Sequence, residues 1–278
     1  MAGINIQTLP NFLQFHQIKK DGTDRTGEKK ISTHTRIGGK EAGEIIYGGN
    51  YHIPEENMTQ FYNLYHKHVF KNKNKEYLTE VQDKENGGPL LVDIDMRFPQ
   101  EINERQYALD EISGILELYS ESFQELFNFD KEIDFPIFIF EKENVVQQNN
   151  KETKDGIHIV FGIHMKHNIQ ILLRNIVIDK EENEMQLFGE EGLKCINKPE
   201  DIFDECITCG RNNWQIWGSR KPGYDAYKLK YKFILNFVPN DEPYSFIKES
   251  IEDIDIREML PIISAKNKNF IKSPEIKE

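Results

Sequence analysis

The chain holds a small set of residues whose types and spacing could do chemistry, and the first is a pair of acids. Asp93 and Asp95 stand two apart in the apolar run Leu90-Leu91-Val92-Asp93-Ile94-Asp95-Met96. In an extended strand, side chains two apart point the same way, so Leu91, Asp93 and Asp95 share one face and Leu90, Val92, Ile94 and Met96 the other. Two carboxylates side by side repel unless a cation lies between them. Hard oxygen donors of this kind suit Mg²⁺ or Mn²⁺, which bind through one or two carboxylates plus substrate phosphates.

A second candidate is His158, set in the apolar strand pattern Ile157-His158-Ile159-Val160-Phe161 behind Lys154-Asp155-Gly156. There it could donate to a phosphate oxygen, or serve only as a hydrogen-bonded core histidine. A third is the run Trp214-Gln215-Ile216-Trp217-Gly218-Ser219-Arg220-Lys221. A strand entering Gly-Ser with two cations behind it makes a compact anion site. Gly218 would let a phosphate approach the backbone, Ser219 and Lys221 would add donors, and Arg220 could bind in fork fashion. The alternative is an ordinary turn with solvated cations. Asp204, just upstream, is by itself one acid among many.

Other motifs carry less. Cys206-Ile207-Thr208-Cys209 has half of a zinc-site spacing, but no second Cys or His pair stands at a matching distance, so no structural zinc is expected. Gly38-Gly39 and Gly48-Gly49 are not followed by Gly-Lys-Ser/Thr, so no Walker-type loop is expected. The three cysteines give no disulfide framework.

The elements that must position these groups follow from hydrophobic periodicity. Strands are expected over 47–53, 90–96, 135–140, 157–161, 214–217 and 227–237, and helices over 55–70, 102–128 and 166–182. In the 227–237 strand, Lys228, Lys230 and Lys232 alternate on the outer face and, with the Lys67–Lys75 stretch, either form a solvated face or stand ready for contacts to a nucleic-acid backbone. Residues 1–42 read as irregular. No clean βαβ repeat appears, so the expected class is α+β: a mostly antiparallel sheet packed by helices on one face. The expected domains are an N-terminal α/β unit over 1–85, a catalytic core over 86–240 and a tail or linker over 241–278.

With 278 residues, 38% of them hydrophobic and 29% charged, the chain can bury a core. No apolar run approaches the roughly 20 residues that span a bilayer. The first residues lack the layout of a secretory signal, and an intracellular setting is expected. The net charge of -12 weakens tight binding of nucleic acid by the whole surface but leaves local basic patches able to bind phosphate.

In this order and spacing the motifs resemble the archaeo-eukaryotic primase superfamily: Asp93-Ile94-Asp95 on an apolar strand, Gly156-Ile157-His158 on a second, then Asp204 and Gly218-Ser219-Arg220-Lys221. They look most like the primase half of primase–helicases of nucleocytoplasmic large DNA viruses. Tyr77-Leu78-Thr79-Glu80 is similar to the giant-virus branch. The resemblance implies an RRM-like catalytic core that makes primers from NTPs or dNTPs on a single-stranded DNA template. Two ions, Mg²⁺ or Mn²⁺, would be held by Asp93, Asp95 and Asp204. His158, Lys154, Ser219, Arg220 and Lys221 would bind the nucleotide, and Lys228, Lys230 and Lys232 the DNA. It also implies a superfamily-3-type helicase region farther along the same polypeptide, no membrane association, and a place in the host cytoplasm or viral factory. Two rival classes are a metal-dependent glycosyltransferase, which also uses Asp-x-Asp, and a non-catalytic module that recruits DNA or a helicase.

Overall fold

The computed structural model describes residues 6–148, 151–239 and 243–277. The chain forms two compact units: Met1–Gln82 with Asn213–Tyr227 and Ile254–Lys266, and Asp83–Asn212 with Lys228–Asp253 and Asn267–Glu278. The fold is α+β, as the periodicity predicts.

The second unit is built on a seven-stranded sheet. Its order runs Ser245–Glu249, Lys228–Phe237, Ile133–Glu141, then the histidine strand Glu152–Met165. The acid strand Gly88–Pro99 pairs along the other edge of the histidine strand. Short strands Val146–Gln148 and Ile271–Lys272 complete it, and only the last runs parallel to its neighbour. Both long strands outrun the expected 90–96 and 157–161, because strand pairing continues past the apolar runs.

One face of this sheet is dry. Val92, Ile94 and Met96 of the acid strand, Ile157 and Ile159 of the histidine strand, and Ile137 and Ile139 of that strand's other neighbour, Ile133–Glu141, lie in one core with Ile115, Leu116 and Phe123 of helix Leu109–Leu126 and Leu173 and Val177 of helix His167–Lys180. Each such side chain, fully buried, contributes about 1.5–3 kcal/mol relative to exposure. Helix Leu109–Leu126 starts later than the expected 102. Glu111 reaches back so that its Oε2 accepts from the Ala108 N–H at 2.7 Å, fixing the first turn there.

The segment before that helix does other work. Arg105 donates through Nε and Nη2 to both oxygens of Asp155 (2.8 and 3.1 Å), through Nη1 to Glu141 (2.6 Å) and through Nη2 to the Lys142 carbonyl (2.8 Å). Both acids are 4% exposed, and the Tyr107 ring lies 4.8 Å from the guanidinium carbon. Asp155 shares the dry face with its register partner Met96, so this fork pins the histidine strand from beneath, one residue from Lys154 and Gly156.

The first unit contains a five-stranded antiparallel sheet, in the order Gln17–Ile18, Gly49–Tyr51, His34–Arg36, Leu78–Glu80, Trp214–Gln215. Helices Leu9–Phe15 and Met58–Tyr65 pack on it through Phe12, Phe61 and Tyr65. The expected 1–42 irregular stretch therefore holds a helix and short strands. Two of the expected domain boundaries also differ. Residues 213–227 return to the first unit because Trp214–Gln215 adds to its sheet edge. Residues after 241 are not a linker: Ser245–Glu249 is a paired strand, and Ser264 Oγ and the Ala265 N–H donate to the buried Glu80 at 2.5 and 2.8 Å. Among the described residues no helix is long and apolar enough to cross a membrane.

Removing Arg105 leaves two buried carboxylates without their cation, so Arg105→Met should cost about 3–5 kcal/mol in urea unfolding at neutral pH. The sign with pH is set by burial, which holds the Glu141 carboxyl above its ordinary value. A raised carboxyl favours the fold below its unfolded value and opposes it as pH rises through the folded one. The deficit of the variant should therefore shrink as pH falls toward 5; a deficit that grows in acid would contradict this role.

Candidate active site

The site face is the side of the sheet opposite the dry core. Register places Asp93 opposite His158, Asp95 opposite Gly156, and Arg97 opposite Lys154. Directly opposed residues point to the same face, so all six share it. His158 Nε2 lies 3.4 Å from Asp93 Oδ1, with the two side chains 9% and 14% exposed. The sequence therefore brings together Asp93, Asp95, His158 and Lys154 as expected, and it adds Arg97.

Among the described residues no further strand pairs with the acid strand's outer edge. It is covered by residues 196–204. The Ile196 N–H donates to the Arg97 carbonyl at 2.8 Å, and the Arg97 N–H donates to Asn197 Oδ1 at 2.9 Å. Asn197 Nδ2 donates to the Asp95 carbonyl at 2.8 Å, and Phe203 bridges to Ile94. The Asp204 N–H donates to the Asp93 carbonyl at 3.0 Å. Backbone groups of alternate residues point to the same edge, so 93, 95 and 97 all face this cover. They are accordingly non-hydrogen-bonded pairs toward the histidine strand, the kind in which opposed side chains come closest.

The cover is itself anchored. Arg174, on helix His167–Lys180, donates Nε to the Phe203 carbonyl at 2.8 Å and Nη2 to the Glu200 carbonyl at 2.7 Å. These carbonyls end the short helix Pro199–Ile202, where a cation is favoured. Asp204 follows at once and is thereby fixed beside Asp93. Its carboxylate, however, turns to its own helix: Oδ1 accepts from the Cys206 N–H at 2.7 Å as the N-cap of Glu205–Thr208.

The fit to a divalent ion follows from these placements. Asp93 and Asp95 supply hard oxygen donors from one rigid strand, the chemistry that Mg²⁺ and Mn²⁺ prefer. Asp204 is adjacent through its backbone, but among the described residues no three His, Cys, Asp or Glu side chains gather into an ion-holding group. Of the three expected ligands, Asp93 and Asp95 share the site face, and the Asp204 carboxylate is held in its cap.

The remaining expected residues belong to other elements. Ser219, Arg220 and Lys221 belong to the first unit, whereas the acids, His158 and Lys154 belong to the second. Ser219 is fully buried: its Oγ accepts from the Leu78 N–H at 3.0 Å and lies 2.9 Å from Tyr65 Oη. That hydroxyl fastens the Gly218-Ser219 turn to the Leu78–Glu80 strand. Gly218, with φ +88°, holds a backbone conformation that L side chains rarely adopt, and a Cβ there would come within 2.9 Å of Phe70 and Val69. Arg220 is half-buried and Lys221 exposed. The three lysines do not alternate on one face. A bulge between Leu229 and Tyr231 sets Lys228 opposite Glu141 and Lys232 opposite Phe138, on different faces. Lys228 pairs with Glu143 and Lys232 with Glu249, while Lys230 is exposed.

Residues 44–233 match the family described as the C962R protein N-terminal AEP domain, where AEP denotes archaeo-eukaryotic primase. The chain belongs to this family. It is also 28% identical over 174 residues, 62% of its length, to the putative helicase L207/L206 of Acanthamoeba polyphaga mimivirus. The matched stretch covers 17% of that relative.

In this primase-family domain the sequence did not announce Arg97, Asn197 or Arg174. Asn197-Lys198-Pro199 signals a helix start, since Pro suits the first turn. Nothing in it signals that the Asn197 amide stands in for a strand. Asn197→Leu would leave the Arg97 N–H and the Asp95 carbonyl without these bonds. Hydrogen exchange at the Arg97 amide should then accelerate by about tenfold or more, the equivalent of a lost net hydrogen bond. Unchanged exchange at that amide would contradict the bracing role.

Proposed function

We propose that this domain is a template-directed nucleotidyltransferase that makes primers from nucleoside triphosphates on single-stranded DNA, in the service of viral DNA replication. The observation that supports it best is the convergence of Asp93, Asp95 and His158 on one sheet face, with Asp204 bonded through its backbone to Asp93. Order and spacing alone could not supply that convergence, and membership of the family gives it a reaction.

In this reading Asp93 and Asp95 hold Mg²⁺ or Mn²⁺, with Asp204 joining after its carboxylate swings from the Cys206 N–H. The bound ions would supply charge neutralisation for an in-line displacement at the α-phosphate. His158, oriented by Asp93, donates through its ring to a phosphate oxygen of the incoming nucleotide. Lys154 lies two register pairs beyond Asp95, on the same face, and adds fixed positive charge to the triphosphate, where preorganised donors matter most. Arg220 and Lys221 are nucleotide-binding candidates on the family resemblance alone, and Ser219 acts by holding their turn. Lys230 and Lys232 are the better placed of the three lysines for the template backbone, because Lys232 shares the site face and Lys230 is exposed. The mimivirus relative's name suggests that a helicase region accompanies the domain in the same polypeptide.

A second reading, a non-catalytic module on a primase fold, draws on one observation: Asp204 caps its own helix instead of joining the pair. Template-directed incorporation of labelled NTPs or dNTPs with Mg²⁺ or Mn²⁺ separates the two. The enzyme reading expects metal-dependent extension, while DNA binding with no incorporation supports the module.

Asp93→Asn and Asp95→Asn should each lower incorporation by roughly 10²–10³-fold, as loss of a transition-state charge partner does, with urea midpoints near that of the parent. Normal extension by either purified variant would remove these acids from the mechanism. His158→Ala should raise the KM for nucleotide more than it weakens DNA binding; an unchanged nucleotide KM would contradict a phosphate contact.

A further inference from the structure

One cation on the site face has no part in the motifs that point to the family. Arg97 stands two residues beyond Asp95 on the acid strand, directly opposite Lys154 on the histidine strand. The pair is of the non-hydrogen-bonded kind, because the Arg97 N–H and carbonyl are both taken by residues 196–197 at the outer edge. In such pairs the Cβ atoms lie about 4.5–5.5 Å apart, and like charges placed so oppose the fold.

Arg97 Nη1 lies 3.7 Å from Glu152 Oε1, a loose contact between side chains that are 38% and 22% exposed. Arg97 Nε is buried and has no hydrogen-bond acceptor among the described residues. A guanidinium presents its donors as a planar fork suited to phosphate or carboxylate oxygens. Here part of that fork is unused, beside a lysine, on the face that bears the two acids. Asn197 fixes the stretch at both ends, bonding the Arg97 N–H and the Asp95 carbonyl, so the distance from Arg97 to the acids is set by the strand itself.

We infer that Arg97 and Lys154 together form a binding site for the polyphosphate of the nucleotide, with Arg97 a phosphate-contacting residue that the sequence motifs omit. An anion between the two cations turns a repulsive cross-strand pair into two charge-assisted contacts. The neighbouring pair on the same face, Asp95 and Gly156, carries a side chain on the acid strand only. A polyphosphate lying there would have its cation-bound end at Arg97 and Lys154 and its metal-bound portion at Asp95 and Asp93. This inference rests on the nucleotidyltransferase reading and names the residue that receives the phosphates in it.

The test is equilibrium binding of a non-hydrolysable nucleoside triphosphate, and separately of inorganic tripolyphosphate, to the full chain in Mg²⁺. Parent, Arg97→Gln, Arg97→Lys and Glu152→Gln are compared, with urea unfolding as a check on the fold. The expected result is that Arg97→Gln weakens both probes by about tenfold or more, in line with loss of a charge-assisted bond, while its unfolding midpoint holds or rises. Arg97→Lys should recover part of the loss, and Glu152→Gln should leave binding unchanged or tighter. Normal binding by Arg97→Gln, when the parent binds, overturns this inference alone. So does equal weakening by Glu152→Gln, which would make Arg97 a structural partner of that acid. A parent that binds neither probe overturns the inference and the nucleotidyltransferase reading together.

Discussion

The acid strand Gly88–Pro99 is held along both edges, and the rest of the site depends on that. Its inner edge pairs with the histidine strand, which sets Asp93 against His158 and Arg97 against Lys154. Its outer edge is closed by residues 196–204, where one strand-like bridge, one asparagine amide and two backbone bonds replace a whole strand. Because 93, 95 and 97 turn their backbone groups outward, the cover touches the same residues whose side chains make the site. An open edge would leave those groups to solvent or to another chain. Closing it with a loop also delivers Asp204, which no regular strand at that position would have been free to present at a helix start.

Two arginines remote from the site face stabilise this arrangement. Arg174 ties the carbonyls at 200 and 203 to helix His167–Lys180 and so fixes the cover. Arg105 neutralises Asp155 and Glu141 beneath the histidine strand. Arg174 is buried and Arg105 half-buried among hydrogen-bonded partners, and the two acids on Arg105 are themselves buried, the setting in which loss of one partner is costly. The site face itself is less settled: two carboxylates along one strand, a histidine opposite the first of them, and two cations opposed in the pair beyond the second. Such a face is electrostatically expensive when bare.

The parts of this that were legible in the sequence are those carried by periodicity. The alternation in Leu91-Val92-Asp93-Ile94-Asp95 put both acids on one face, and the apolar stripes of 109–126 and 167–180 gave the helices that cover the other. What was not legible depends on contacts across long separations. Asn197 braces Asp95 from about a hundred residues away, and no local pattern encodes that. Ser219 looked like a phosphate donor because a Gly-Ser-Arg-Lys turn has the right groups, but burial gave its hydroxyl to Tyr65 and Leu78. The Lys228-Lys230-Lys232 alternation failed at a bulge, which a run of Lys, Leu and Tyr does not signal. Asp204 was visible as an acid, and its adjacency to Asp93 came only from the pairing of backbones.

The central claim is that the acids of one braced strand and Asp204 form a single ion-holding centre once nucleotide is present. Its most direct test is a crystal structure of the chain with Mn²⁺ and a non-hydrolysable nucleoside triphosphate, read by the anomalous signal of manganese. The account predicts manganese between Asp93 and Asp95, with the Asp204 carboxylate released from the Cys206 N–H and turned toward it. Manganese bound elsewhere, or an Asp93–Asp95 pair without metal beside bound nucleotide, would contradict it.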